Sequence, residues 1–513
     1  MFFKYRLFLS LFLFCLFLEA NATQENGTQE IDESMLVKSG EAEYNGRDIS
    51  LIGNVSIEHG LGKIHAHHLV ISPSLDREKK MKFSFLTIEN DVLIELKEGG
   101  QLRCQKALID YLNLQATFTG NEQQADVIFS NAGEIETASI KPDSLLLKCK
   151  KAQAHLLRKF YEQEKKYQTS LAKIIAEEEV RAYYNQDYLI SSDYAIYHHL
   201  PDNEQGESGI LYLNMKDPWQ NVCSVINKNG DVIKAQSIVI DTNRHLLTCN
   251  KPIGIINLGQ IKTFGKQIRF SSEVLTWDDS RQRLTLNDKV KISMDGLGEL
   301  ATNKEIRIDH HSIENQKKIR SIMSLEATEL SYTDEEKNIH KLICQGPLII
   351  DHEHRHIVLE SPHDGSGKVL EGMQVLLEDI LGDMYADKVK CDYDDSSKSL
   401  TPLKITMEGN VKIQNRFDGH VQESGSILQY TLSDFVEYFP QKKEMILTGK
   451  NGGRVLFYDK VNNIRMSAPS LKIRRDANSP NGSVQGVGDV RFTFIEREFD
   501  KLRAFFNLKD NFK

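Results

Sequence analysis

One short phrase recurs along this chain, and every copy breaks strict β alternation at the same place. It reads Ile64-x-Ala66-x-x-Leu69-x-Ile71, and returns as Ile233, Ala235, Ile238, Ile240, then Met384, Ala386, Val389, Cys391, then Met466, Ala468, Leu471, Ile473. A frayed copy runs from Ala301 to Ile306 and Ile308, with Lys304 in place of the first apolar residue. In a strand, residues i and i+2 share a face, so this spacing stays on one face only if an extra residue is absorbed after the alanine. A β-bulge or a sharply coiled strand does that. A second phrase accompanies the first: Leu51 through Gly53-Asn54-Val55 to Ile57, Met407 through Gly409-Asn410-Val411 to Ile413, and more loosely Gly488-Asp489-Val490 to Phe492. Gly-Asn or Gly-Asp there precedes a period-two strand. Each pair of phrases is a hairpin unit that cannot bury its apolar face alone and must stack on neighbours.

Short alternating strands punctuated by Gly, Asn and Asp run from Met35 to about Cys149 and predict an antiparallel all-β module. Between Lys150 and Tyr184 the period changes. Ala152, His155, Leu156, Phe160, Tyr167, Leu171, Ile174, Ile175 and Val180 stand among Glu, Lys and Gln without Gly or Pro, which predicts a helical insertion over 150–184. Strands resume near Tyr188. The reading by segment is 1–22 signal peptide, 23–34 flexible leader, 35–149 first β domain, 150–184 helical insertion, 185–375 middle β region with degenerate repeats, and 376–513 second β domain.

The two phrases resemble the OstA/LptA-like family, the periplasmic jelly-roll modules that carry lipopolysaccharide toward the outer membrane. The resemblance is carried by Ser39-Gly40-Glu41-Ala42-Glu43-Tyr44, by Gly53-Asn54-Val55-Ser56-Ile57 and by Ala66 to Ile71, then again from Gly382 to Ala386 and through Gly409-Asn410-Val411. It implies antiparallel β-jelly-roll, curved-sheet repeats, lipopolysaccharide as ligand through its lipid A acyl chains, and other envelope transport proteins as partners through edge-strand pairing. The expected groove face is Leu51, Val55, Ile57, Ile64, Ala66, Leu69 and Ile71, one continuous apolar surface. Splayed apart, two such faces form a groove in which each buried CH₂ contributes ~0.8 kcal/mol; pressed together they form a sandwich core ~10 Å thick. The pattern fits both.

The N-terminus reads as a secretory signal: Lys4 and Arg6, an apolar stretch from Leu7 to Leu18, and Ala20-Asn21-Ala22 before Thr23. That stretch is shorter than the ~20 residues that span a bilayer as a helix. The expectation is export to the periplasm, with association at the outer membrane. A net charge of −9 without a basic block argues against nucleic acid as a partner. Six cysteines follow the signal, Cys104, Cys149, Cys223, Cys249, Cys344 and Cys391, without a C-x-x-C pair, and buried thiols or disulfides both fit.

No catalytic signature is present, no cofactor is implied, and the chain reads as a non-enzyme. His363-Asp364-Gly365-Ser366-Gly367 lacks the spacing of a nucleophile elbow and reads as a turn. In Asp351-His352-Glu353-His354-Arg355-His356 an extended strand would put three imidazoles on one face. The opposite face would then be fully charged, so a solvated edge or loop is expected and no metal site. A non-lipid-binding scaffold of the envelope is the competing reading of function, and a transmembrane β-barrel is disfavoured by the absence of aromatic girdles.

Overall fold

In the computed structural model the described residues are 36–506, apart from 60, 76–80, 98, 122–125, 132–144, 162–165, 185–186, 201–207, 218–221, 229, 258–266, 295–297, 314–315, 334–338, 380–381, 395–400, 417–428 and 477–478. The signal and leader readings fall outside them. The chain is all-β and antiparallel throughout, with a small helix, Glu496–Phe506, at its end.

The strand pairings resolve into two facing sheets that exchange the chain continually. In the middle of the molecule, sheet I runs Ser208–Asn214, Ser237–Asp241, Leu246–Asn250, Val274–Asp278, Arg283–Asn287, Ile306–Ile313 and onward. Sheet II runs Cys223–Asn227, Val232–Ala235, Ile253–Asn257, Gln267–Ser271, Val290–Met294 and onward. A hairpin is built in one sheet, then the chain crosses and builds the next in the other. Two seams result: a corner seam where the chain crosses, and a mouth seam between two rows of hairpin turns.

Both repeated phrases are corner sequences. The alanine phrase changes sheet between Ala235 and Ser237, between Ala386 and Lys388, and between Ala468 and Ser470. The residue absorbed after the alanine is therefore the corner itself, and the apolar residues on either side both face the interior. The Gly-Asn phrase is the partner corner within a long strand. Gly53 and Asn54 have φ of 77° and 47°, Gly409 and Asn410 75° and 45°, and the pairing register slips at each. Two consecutive left-handed residues bend the strand from one sheet to the other, a conformation that favours Gly and Asn. The corners meet: Asn410 Nδ2 donates to Asp387 Oδ2 at 2.9 Å, and a Cβ on Gly409 would lie 2.4 Å from that carboxylate. Crossing leaves carbonyls outside the ladders, and buried hydroxyls take them up. Ser272 donates to the Val274 carbonyl at 3.0 Å, Thr302 to Ala327 at 2.6 Å, Ser361 to Ala386 at 3.3 Å and Ser433 to Thr448 at 3.0 Å.

The helical insertion is corrected. Lys151–Tyr161 and Lys166–Tyr184 are long antiparallel strands paired with each other and with their sheet neighbours. The inward residues Leu171, Ile174, Ala176, Val180 and Ala182 are buried, and their spacing mimics a helix because irregularities fall between them. One register slip opposite His155 and Leu156 adds a residue between Leu171 and Lys173. A left-handed pair at Glu178 and Glu179, with φ of 67° and 52°, turns the corner without the Gly-Asn signature. The tail helix buries Leu502 against Tyr430, Leu432, Leu456 and Tyr458, the outer face of sheet II at the C-terminal end.

Candidate functional site: the mouth of the sandwich

The seven expected groove residues lie in the first third and are core. Leu51, Val55, Ile57, Ile64, Leu69 and Ile71 are 0–4% exposed and Ala66 8%, and Leu86, Ile88, Val92 and Ile94 on the neighbouring strand are equally buried. Corner-side and mouth-side residues alike are covered, so this part of the sandwich is filled. The one cavity described there, by Leu61, Phe129 and Leu171, has a volume of about 10 Å³, room for about one water. At its far limit the Tyr197 ring, fully buried, spans to Phe129 with centroids 5.3 Å apart. It lies over Gly209, where a Cβ would meet the ring at 2.4 Å.

Beyond that aromatic pair the section changes. On several strands the inward residue nearest the corner stays buried, while the next inward residue, two positions toward the mouth, is apolar and partly exposed. Sheet I shows this with Leu275 and Trp277, Leu348 and Ile350, Leu359 and Ile357, Met407 and Ile405, Leu447 and Met445, Leu471 and Ile473. Sheet II shows it with Ala235 and Ile233, Cys344 and Leu342, Val375 and Leu377, Ala386 and Met384, Val411 and Ile413. The interior is thus closed along the corner seam, and partly exposed apolar side chains stand along the opposite seam on strands between Ile233 and Ile473.

Between residues 184 and 319 a cavity of about 80 Å³ opens between the sheets. Its walls are Val225, Ile233, Ile256 and Ile268 from sheet II and Leu247, Trp277, Leu284, Ile308 and Ile319 from sheet I. Its rim is polar. Asp231 accepts from the Asn257 backbone N–H at 2.7 Å and from Asn227 Nδ2 at 2.5 Å, holding the sheet II turn shut. Trp277 Nε1 donates to Asp279 at 3.3 Å, and its ring stacks obliquely on His310 at 4.5 Å. Tyr188 stands at the rim with its phenol pushed well above the usual range by burial, and further by the carboxylates of Asp279, Asp187 and Asp231.

Sequence reading passed over this region because its signal is distributed. Three mouth-side turns of sheet I share one design, an Asp whose carboxylate accepts backbone N–H groups two and three residues on, and a left-handed residue four positions on. Asp110 with Leu114, Asp241 with His245, and Asp351 with Arg355 all follow it. No motif of fixed residue types marks the walls between the turns. The same design disposes of the histidine cluster: residues 352–355 form the turn between Leu348–Asp351 and His356–Glu360. His354 pairs with Asp351 at 2.8 Å and His352 bonds the Tyr393 hydroxyl at 2.9 Å, while the His354 and His356 rings lie 6.0 Å apart. Among the described residues no group of three or more His, Cys, Asp and Glu side chains converges as metal ligands do. Cys104, Cys149, Cys223, Cys249, Cys344 and Cys391 are free thiols.

No family model and no curated protein matches the chain. Among solved structures it is similar to LptH, the LptA-homologous periplasmic component of the lipopolysaccharide transport device of Pseudomonas aeruginosa. That likeness has 12% identity over 31% of this chain and 89% of that one, with a TM-score of 0.20. A second likeness, to the TcdB2-TccC3 complex, has 8% identity over 85% of this chain and 31% of that one, with a TM-score of 0.08. Similarity of this degree carries no weight for function.

Proposed function

We propose that the chain is an exported lipid carrier of the cell envelope, holding the acyl chains of lipopolysaccharide in the mouth of a continuous two-sheet sandwich during outer-membrane assembly. The observation that carries this reading is the file of partly exposed apolar side chains along the mouth seam, together with the apolar cavity at Ile256 and Trp277. A filled sandwich would cover that file, and exposing it to water costs ~25 cal/mol per Å² of apolar surface. An alkyl chain laid along the seam would recover that cost without any change of fold. The resemblance of the corner phrases to the OstA/LptA-like modules supports the choice of lipopolysaccharide among lipids.

The test is mass spectrometry of lipid retained by the protein purified from the envelope, for wild type and for Ile256→Asp. Ile256 is partly exposed, so its carboxylate replacement stays hydrated and the fold persists. We expect lipid A-containing lipid on the wild type and loss of most of it from a variant with an unchanged circular dichroism spectrum. Wild-type protein without lipid, or a folded variant with undiminished lipid, removes the reading.

A further inference from the structure

The two ends of the sandwich are not equivalent. At the N-terminal end, Glu41–Tyr44 closes sheet I, and all four of its residues are exposed. The Asn45 N–H bonds the Asp48 carbonyl at 3.2 Å across the hairpin, and antiparallel alternation then aims the N–H groups of Glu41 and Glu43 into the ladder and those of Ala42 and Tyr44 outward. This is a pairing-competent edge. At the C-terminal end, sheet II finishes in Ile464–Ala468, and that edge is occupied. The chain comes back across it, and Ser467 and Arg491 exchange two backbone hydrogen bonds of 2.8 Å.

The returning segment is anchored on both sides. Arg454 donates to Ser467 Oγ at 2.8 Å, to the Ser467 carbonyl at 2.7 Å and to Asp489 Oδ2 at 3.2 Å. Glu498 accepts from Ser467 Oγ at 2.9 Å and from the Ile495 N–H at 3.1 Å, and lies 3.6 Å from Arg454. The helix that follows presses Leu502 and Phe506 onto Tyr430, with the Phe506 and Tyr430 rings edge to face at 4.9 Å. A strand edge with free N–H and C=O groups pairs with whatever extended chain reaches it, and native proteins cover such edges.

We infer that residues 488–506 are an edge guard, which keeps the sheet II edge at the C-terminal end of the sandwich from accepting the exposed Glu41–Tyr44 edge of a second copy of this chain. The guard supplies in cis, at Ser467, the strand pairing that another copy would supply there, while Ser479–Val487, the last strand of sheet I, pairs with Ser470–Asp476 alone among the described residues. The inference is independent of the lipid reading, because it concerns the sheet ends and not the mouth.

Sedimentation velocity on the full chain over a range of concentrations tests it, with Leu502→Asp to lift the helix and Arg454→Gln to release the bridge without burying a charge. Wild type is expected to have a lower mean mass than either variant. Each variant is expected to form additional concentration-dependent species of two chains or more. Adding Ala42→Pro, which removes an outward N–H and no internal hydrogen bond, is expected to return the variants to the wild-type distribution. The inference is overturned by wild type that multimerises to the same extent, by an Arg454→Gln variant that matches wild type although proteolysis shows its tail released, or by multimers that survive Ala42→Pro.

Discussion

At the level of single residues, position along the sandwich decides what a side chain does, although the same types recur throughout. Ile57 and Ile256 are both inward isoleucines near the mouth, yet Ile57 is 0% exposed and Ile256 lines the open cavity. An aspartate at 57 would be a buried charge without a partner, so Ile57→Asp is expected to destabilise the N-terminal third by roughly 3 to 5 kcal/mol. Chemical denaturation should show that third unfolding early, in contrast to the folded Ile256→Asp protein. The thiols report on the same core. Burial pushes Cys104, Cys149 and Cys249 up to about 12 from an ordinary 9.0. A group whose folded value is raised contributes stability that is complete below its unfolded value and lost as pH rises toward the folded one. Stability should therefore fall between pH 9 and about 12, and at pH 8 these thiols should resist alkylation until denaturant is added.

Among elements, the strands at 151–184 show how tertiary context overrides local preference. Ala, Glu, Lys and Leu dominate there, and a peptide of residues 150–184 is expected to be partly helical by circular dichroism at low temperature, a tendency increased by trifluoroethanol. In the protein, the flanking strands Gln115–Thr119 and Tyr188–Leu200 offer ladders on both sides, and Ala176, Val180 and Ala182 find a buried face only when extended. A peptide already showing β-structure would refute the competition. The corner phrases are the opposite case. Gly53-Asn54 and Gly409-Asn410 carry their conformation in their chemistry, and the deviation from alternation was legible as a structural event. That it was a change of sheet was not legible, because a bulge within one face produces the same spacing.

For the whole molecule, the alternating crossovers join what read as separate β domains into one sandwich. Sheet I alone continues from Glu41–Tyr44 to Ser479–Val487 without a break in its pairing. With neighbouring strands ~4.8 Å apart, the stack should measure roughly 100 Å end to end. Small-angle scattering is expected to give a rod of about that length, and a compact particle would contradict the continuous pairing. Stability in such a body is a sum of neighbour contacts, so the first third can be a rigid filled stem while the remainder keeps an open seam.

The sequence by itself determined the all-β class, the antiparallel hairpin units, the places where chain direction changes and the absence of known catalytic signatures, because each depends on periodicity or on residues that tolerate a left-handed backbone. Tertiary structure decided which apolar faces are sealed. Inward residues at 51–71 and at 233–473 have the same period and the same types, yet the first set is covered and much of the second set is partly exposed. Which set is covered depends on contacts across the sandwich, such as Tyr197 against Phe129, which join residues far apart in sequence and leave no local pattern.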